Sequence, residues 1–240
     1  MVEVESVPGA LSEKTDTEHK FTHKDTHRLA CQATIVNTNA PIFVHVPLRA
    51  YCIVESGNFW EIPVEPFVHR EGDRVLYDSV DVGTYAGELY GIGLDIGTTT
   101  LAMYLVDLET GAVASINARE NPQTKYGNNV ISRIEFAKEG REILERGIRS
   151  AVNEMIAELT DPEKVYEIVI VGNPVMRDLF FGYPVDSLGI SPYEPLGVNA
   201  VHKTPAELGL RVNPKAPVYG LPLIGSFIGA DTLALSLIHI

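Results

Sequence analysis

The stretch GIGLDIGTTTLAMYLVDLETG, residues 91–111, decides the fold of this chain. In and next to it, strand patterns occur over residues 90–96, 101–108 and 112–119. The first two patterns are joined by the polar turn Gly97-Thr98-Thr99-Thr100, and the last two by Glu109-Thr110-Gly111, which is typical of a tight hairpin. The stretch therefore predicts consecutive strands joined as hairpins, with a polar loop directly after the first strand.

This polar loop has the composition of a phosphate-binding turn. Gly97 lets the backbone turn close to a ligand, and the N–H groups and hydroxyls of Thr98, Thr99 and Thr100 can donate hydrogen bonds to phosphate oxygens. Asp95, at the end of the strand, can bind Mg²⁺ directly or through water. The alternative is a polar hairpin turn without a ligand. A P-loop is excluded because GxxxxGK[ST] does not occur, and a dinucleotide fingerprint fails at Ile96.

Helices and strands alternate in the second half of the chain. The patterns predict helices over 130–137, 141–159 and 174–181, strands over 166–172 and 218–224, and mostly loop over the proline-rich residues 182–217. Because hairpins come first and alternation follows, the fold class is predicted as α/β, a mixed sheet with flanking helices.

A second glycine-rich loop follows the last predicted strand. It contains Gly225, Ser226, Gly229 and Asp231, which combine a flexible backbone with a hydroxyl and a carboxylate. Two such loops could close on one triphosphate from opposite sides, with Asp231 as general base toward water or as a second metal contact. The alternative is an ordinary strand-to-helix turn, with Asp231 favoured by the helix dipole.

Composition excludes several classes of protein. The formal net charge of −13 disfavours nucleic acid and anionic membranes as partners, although ATP sites depend on local dipoles and a metal ion. Two cysteines, Cys31 and Cys52, cannot build a disulfide framework or a four-cysteine metal site. The N-terminus has no apolar signal-peptide core and the apolar tail is short, so a cytoplasmic location is expected. Residues 33–90 read as short β segments, including TIVNT, IFVHVPL, EIPVEPFV and RVLYDSV.

Several separate motifs resemble the reductive activators of corrinoid proteins. These motifs are YGIGLDIGTTTLAMYLVDLETG (90–111), NPQTKYGNNVISRI (121–134), VGNPVMRDLFFG (171–182) and PLIGSFIGADT (222–232). The resemblance implies the first lobe of an ATP-binding domain of the acetate kinase, sugar kinase, chaperone and actin superfamily, which has a ribonuclease H-like fold. It places phosphates and Mg²⁺ between the two loops, with Asn173 lining the cleft and Gln123 and Asn129 as weaker candidates. For these three residues, loop capping is the alternative.

Upstream, Arg28-Leu29-Ala30-Cys31-Gln32 resembles the segment with the fourth cluster cysteine of a plant-type ferredoxin domain. The resemblance thus implies a ferredoxin-like remnant over 1–38, a linker or small domain over 39–88 and a first ATP-binding lobe over 89–240. We expect a fragment that lacks the second lobe and the cysteines that would hold a [2Fe–2S] cluster together with Cys31.

The function implied by the resemblance is ATP-dependent return of Co(II) corrinoid proteins to Co(I). The cofactors would be ATP, Mg²⁺ and, in the full-length protein, a [2Fe–2S] cluster. The partner would be a corrinoid iron–sulfur protein or the corrinoid subunit of a methyltransferase. A small-molecule kinase of the same superfamily and a non-catalytic nucleotide-binding module are the alternatives.

Overall fold

The computed structural model of the chain describes residues 2–6, 8–21, 24–30, 32–45, 67–225, 228–231 and 234. The chain divides into two compact units, Met1–Ile53 and Val54–Ile240. The domain boundaries after residues 38 and 88 were inferred from the family resemblance, and they stay a prediction. None of the helices in the described part is both long and apolar enough to span a bilayer.

The first unit contains a small antiparallel sheet. Its elements are β1 (Val2–Ser6), α1 (Asp16–Phe21), β2 (His27–Arg28) and β3 (Ile42–His45), with strand order β2-β1-β3. The predicted strand over 34–38 is wrong, since only an isolated bridge joins Leu11 and Ile35 there. Ile35 and Val36 are exposed, and the Asn37 side chain accepts a hydrogen bond from the Asn39 amide, which favours a turn.

A three-stranded antiparallel sheet opens the second unit, with β4 (Val68–Glu71), β5 (Arg74–Tyr77) and β6 (Val80–Thr84). The predicted segment RVLYDSV is thus a strand and the turn after it, while most of EIPVEPFV lies outside the described residues. The buried Tyr166 hydroxyl donates to the Thr84 carbonyl (2.7 Å) and accepts from the Ala86 amide (2.8 Å). These bonds join the small sheet to the main sheet of the same unit.

The main sheet has six strands in the order β11-β12-β10-β7-β8-β9. They are β7 (Tyr90–Ile96), β8 (Thr100–Asp107), β9 (Val113–Glu120), β10 (Val165–Gly172), β11 (Val201–Lys203) and β12 (Val218–Gly220). Strands β7, β10 and β12 are parallel, whereas β8, β9 and β11 pair antiparallel with their neighbours. The prediction of a mixed sheet with flanking helices is therefore confirmed.

Helix α2 (Val130–Leu159) covers one face of this sheet, and α3 (Pro174–Phe181) packs beside it. The two predicted helices over 130–137 and 141–159 are joined in α2, whose backbone leaves the helical conformation only at Gly140. A short α4 (Pro205–Leu208) lies in the long connection, and one-turn 3₁₀ helices span Pro122–Tyr126, Pro162–Lys164 and Asp186–Gly189. The core consists mainly of aliphatic residues from β7, β8, β10 and α2.

The last strand is shorter than predicted, since β12 ends at Gly220 instead of residue 224. Pro222 has no amide proton for a sheet bond, and the Leu223 amide donates to the Val198 carbonyl (2.8 Å) in the long connection. The chain therefore leaves the sheet early, before it reaches the second glycine-rich loop.

Candidate functional site

The loop between β7 and β8 is a tight turn that requires glycine. The Gly97 amide donates to the Thr100 carbonyl (2.9 Å), and a Cβ on Gly97 would lie 2.6 Å from that same oxygen. Such a contact is too close for any other residue without a backbone shift. The turn predicted at residues 97–100 is therefore present, and its glycine is required by close packing of the backbone.

Three successive carbonyl groups of this loop are held from behind by the segment that follows β9. Asn121 donates from Nδ2 to the Gly97 carbonyl (2.8 Å) and from its amide to the Thr99 carbonyl (2.7 Å). Arg133 donates from Nη2 to the Thr98 carbonyl between them. Because a trans peptide points its C=O and N–H in opposite directions, the amides that follow these carbonyls point away from Asn121 and Arg133.

The amides of Thr98 and Thr99 have no protein acceptor within the described part of the chain. Two consecutive N–H groups aimed away from their supporting residues could donate to the same anion. Whether these amides bind a phosphate oxygen stays a prediction of the sequence.

The turn between β10 and α3 forms a second wall of the site. Asn173 caps α3, since its Oδ1 accepts from the Met176 amide (3.1 Å). Its Nδ2 donates to the Thr98 hydroxyl oxygen (3.2 Å), which joins this turn to the first loop. The capping role that the sequence suggested for Asn173 is therefore observed, whereas its place in a ligand cleft stays a prediction.

The second glycine-rich loop packs directly on this turn. A Cβ on Gly229 would lie 2.5 Å from both the Asn173 Cα and the Gly172 carbonyl oxygen, so only glycine fits there. Gly225 donates from its amide to the Ile228 carbonyl (3.2 Å) and closes the loop. Ser226, the predicted hydroxyl of this loop, lies outside the described residues, as does Cys31.

The two predicted carboxylates lie close enough to interact. Partial desolvation raises the pKa of the Asp95 carboxyl above its ordinary value, and the negative charge of Asp231 raises this pKa further, although the residue as a whole is exposed. A cation between the two groups would relieve their repulsion. Within the described ranges no group of three or more His, Cys, Asp or Glu could hold a metal. A bound Mg²⁺ would therefore complete its coordination with water and phosphate oxygens, which is its ordinary chemistry.

Two weaker candidates from the sequence lie away from the cleft. Gln123 is buried, with Nε2 donating to the Leu144 carbonyl (3.2 Å) and Oε1 accepting from Arg133 (3.2 Å). Asn129 caps α2 in a reciprocal capping box with Ser132. For Asn129 the capping alternative is confirmed, and Gln123 supports the loop from the interior.

Sequence reasoning missed Asn121 and Arg133 as individual residues. Both belong to the motif over 121–134, but the motif does not show which of its residues contacts the first loop. One signal was available for Arg133, because it interrupts the apolar positions Val130, Ile134 and Ala137 on the inner side of a predicted helix.

Comparison with known proteins gives a consistent result. Residues 90–239 match the sequence model of the family described as the RACo middle region. The corrinoid activation enzyme RamQ of Eubacterium limosum is 34% identical over 175 residues, which are 69% of this chain and 29% of that protein. The [Co(II) methylated amine-specific corrinoid protein] reductase of Methanosarcina barkeri is 28% identical over 166 residues, which are 62% of this chain and 29% of that protein.

A solved structure titled reductive activator for corrinoid, iron–sulfur protein has the same fold, with a TM-score of 0.66 at 21% identity. The match covers 95% of this chain and 49% of that structure, so this chain spans about half of it and three tenths of the curated relatives. The family match extends over more than half of the chain and includes both loops of the site. The chain belongs to the RACo middle-region family.

Proposed function

We propose that this chain is the nucleotide-binding part of a reductive activator that returns Co(II) corrinoid proteins to Co(I). The relatives named for corrinoid activation and for reduction of a Co(II) corrinoid protein support the reaction. The single observation that supports nucleotide binding is the pair of amides at Thr98 and Thr99, aimed away from Asn121 and Arg133 at the loop that also carries Asp95.

In this proposal the two loops hold the phosphates from opposite sides. Gly97 allows the tight turn from which the amides and hydroxyls of Thr98, Thr99 and Thr100 donate from one side, and Gly225, Ser226 and Gly229 close the other. Asn173 holds the Thr98 hydroxyl between them. Asp95 binds Mg²⁺, and Asp231 either accepts a proton from the attacking water or forms a second metal contact.

When bound, ATP would supply free energy through its hydrolysis. A reduced [2Fe–2S] cluster would supply the one electron that converts Co(II) to Co(I). Cys31 would ligate such a cluster in the full-length protein. This chain's residues contribute through conformation, because loops that contact the phosphates are bound differently before and after hydrolysis. A nucleotide state can thereby bias the arrangement in which the electron is transferred.

The experiment is ATP-dependent reduction of a purified Co(II) corrinoid protein by the full-length protein, followed by the absorbance of Co(I). Wild type, Asp95→Asn and Asp107→Asn are compared. Asp107 is the matched control, because it lies on the same sheet at the end of β8 away from the loop, and within the described residues its side chain accepts from the Glu109 and Thr110 amides of its own turn. We expect Asp95→Asn to lose ATP hydrolysis and cobalt reduction and Asp107→Asn to keep both.

Equal rates for wild type and Asp95→Asn would contradict the metal site. ATP binding without hydrolysis in the full-length wild type would favour the non-catalytic nucleotide-binding module instead. Phosphate transfer to a small molecule would favour the kinase.

A further inference from the structure

Arg133 is a buried cation in an unfavourable place. Its side chain has no solvent exposure, and burial lowers the pKa of its guanidinium to about 10, so it is still charged at neutral pH. It lies in the first turn of α2, where the helix dipole disfavours positive charge. A charge that is buried in such a place requires a compensating interaction.

The hydrogen-bond acceptors of Arg133 are all neutral. Nε donates to the Gly127 carbonyl (3.0 Å), Nη1 to Gln123 Oε1 (3.2 Å) and to the Met176 sulfur (2.9 Å), and Nη2 to the Thr98 carbonyl. Among the residues that the structure describes, no carboxylate forms an ion pair with it. The guanidinium therefore has hydrogen bonds but no counter-charge.

A second buried arginine in the same unit, Arg177, is paired with a carboxylate. Arg177 donates to the carbonyls of Gly197, Asn199 and Leu221, and it also pairs with the Asp178 carboxylate at 3.1 Å. Both side chains are buried and both hold backbone carbonyls. They differ in the counter-charge, and only Arg133 contacts the candidate phosphate loop.

We propose that Arg133 is a positioning residue of this loop and that a bound phosphate supplies its missing counter-charge. This inference rests on the proposed function. The guanidinium fixes the Thr98 carbonyl, and the planar peptide then aims the Thr99 amide at the ligand. In the low dielectric behind the loop, the charge attracts an anion on the opposite side of the same peptide. Arg133 thus acts through the Thr98 peptide without touching the ligand.

The test uses the 240-residue chain and Mg-ADP as the probe. Titration gives the affinity for Mg-ADP, NMR follows the signals of the Thr98 and Thr99 amides, and thermal unfolding gives the stability. Arg133→Gln removes the charge and keeps hydrogen-bonding groups. We expect its Mg-ADP affinity to fall by about tenfold or more, since a hydrogen bond to a charged group contributes roughly 1.5–3 kcal/mol. We expect its unfolding temperature to be unchanged or higher, because an uncompensated buried charge is gone.

Arg177→Gln is the matched control. It should lower the unfolding temperature, because Asp178 would be left buried without its partner, and it should keep Mg-ADP affinity within about twofold of wild type. If Arg133→Gln does not fold, Arg133→Lys replaces it. This variant keeps the charge but cannot reach all four acceptors, so its affinity should lie below that of wild type and its Thr99 amide signal should move.

Wild-type affinity in the Arg133 variant, or unmoved Thr98 and Thr99 amide signals, would overturn the proposal. Failure of the wild-type chain to bind Mg-ADP would contradict the proposed function instead. In that case the amide signals of Thr98 and Thr99 without ligand would still test the positioning role, since a difference between wild type and the Arg133 variant would support it and identical signals would contradict it.

Discussion

At the scale of single residues, the site is built on unfavourable charges. Asp95 lies near the negative charge of Asp231, while Arg133 is buried behind the loop with no carboxylate partner in the part of the chain that the structure describes. Both arrangements oppose folding of the empty protein, and both would be relieved by a magnesium ion and a phosphate. Residues of this kind are expected where a protein binds a charged ligand.

The carboxylate of Asp95 should reduce stability at neutral pH. Because its folded-state pKa is raised, the protonated form is preferred in the folded protein, and stability is lost as the pH rises through that pKa. We expect Asp95→Asn to unfold at a higher temperature than wild type at about pH 7 and at the same temperature below about pH 3, where both side chains are neutral. Thermal unfolding by circular dichroism measures this, and a lower unfolding temperature at neutral pH would contradict the electrostatic account.

Asp178 gives a second pH dependence. Burial raises its pKa to about 6 in spite of the neighbouring Arg177, so its ionisation opposes folding. Stability should therefore fall by on the order of 3 kcal/mol as the pH rises from about 4 to about 6, whereas Asp178→Asn should lack this slope. Urea unfolding at several pH values tests the slope, and equal slopes in both proteins would show that another group is responsible.

The residues of the first loop could be predicted from the sequence, but the residues that donate hydrogen bonds to its carbonyls could not. Asp95, Gly97 and the threonines are contiguous, and the change from apolar strand to polar turn marks them. Asn121 and Arg133 reach the same loop from 24 and 35 residues away, and hydrogen bonds over such separations depend on tertiary packing. The closeness of Asp95 and Asp231 agrees with the prediction that two loops at the ends of separate strands approach each other.

At the scale of elements, α2 contains two glycines with different surroundings. A Cβ on Gly147 would meet nothing within 4 Å, whereas a Cβ on Gly140 would lie 2.4 Å from the Phe136 ring. Gly140 has a non-helical backbone with φ −133° and ψ 26°, and Phe136 packs against Tyr126. The interruption of the helix is thus associated with a specific aromatic contact.

These surroundings predict opposite effects of alanine. Gly147→Ala should stabilise the protein by roughly 0.5–1 kcal/mol, because glycine in a helix interior loses more backbone entropy. Gly140→Ala should gain nothing or destabilise, because the Phe136 ring must move. Chemical denaturation of both variants measures the difference, and stabilisation by Gly140→Ala as large as that by Gly147→Ala would contradict the packing argument.

Boundaries of elements were predictable where local chemistry sets them. The Asp161-Pro162 pair predicted the end of α2, which ends at Leu159 with Thr160 as its cap. The apolar run after Val218 predicted a strand that is longer than the observed one. The early end of the strand could not be predicted, because the hydrogen bond from the Leu223 amide to the Val198 carbonyl in a distant loop has no sequence signature. The kink at Gly140 lies between the two predicted helices, where the apolar spacing is interrupted.

At the scale of the whole molecule, the two units should respond to acid in opposite directions. In the first unit, the buried Glu18 forms two hydrogen bonds with Arg28 (2.8 and 2.9 Å), and these lower the pKa of Glu18 to about 2. Its contribution is present above about pH 4.5 and is lost as the pH falls toward 2. The second unit contains Asp178, whose protonation favours folding.

Hydrogen exchange resolved by segment can separate the two units. As the pH falls from about 4.5 toward 2, we expect residues 8–21 to lose protection, after correction for the intrinsic exchange rate. Glu18→Gln should remove this dependence and leave residues 165–172 unchanged. A single acid transition shared by both units would contradict this division.

Sheet order is the feature of the whole molecule that sequence patterns could not give. Strand β10 lies beside β7 although about 70 residues separate them, and parallel pairing leaves no local signal comparable to a hairpin turn. Local patterns predicted a mixed sheet, and the resemblance of several motifs to one family predicted its type. The solved structure compared above has the same overall fold, with a TM-score of 0.66.

The measurement that tests the central claim most directly is calorimetric titration of the 240-residue chain with ATP in the presence and absence of Mg²⁺. The account predicts one Mg²⁺-dependent site that is lost in Asp95→Asn and kept in Asp107→Asn. No binding by the wild-type chain, or equal binding by wild type and Asp95→Asn, would contradict the assignment of the phosphate loop and its metal ligand.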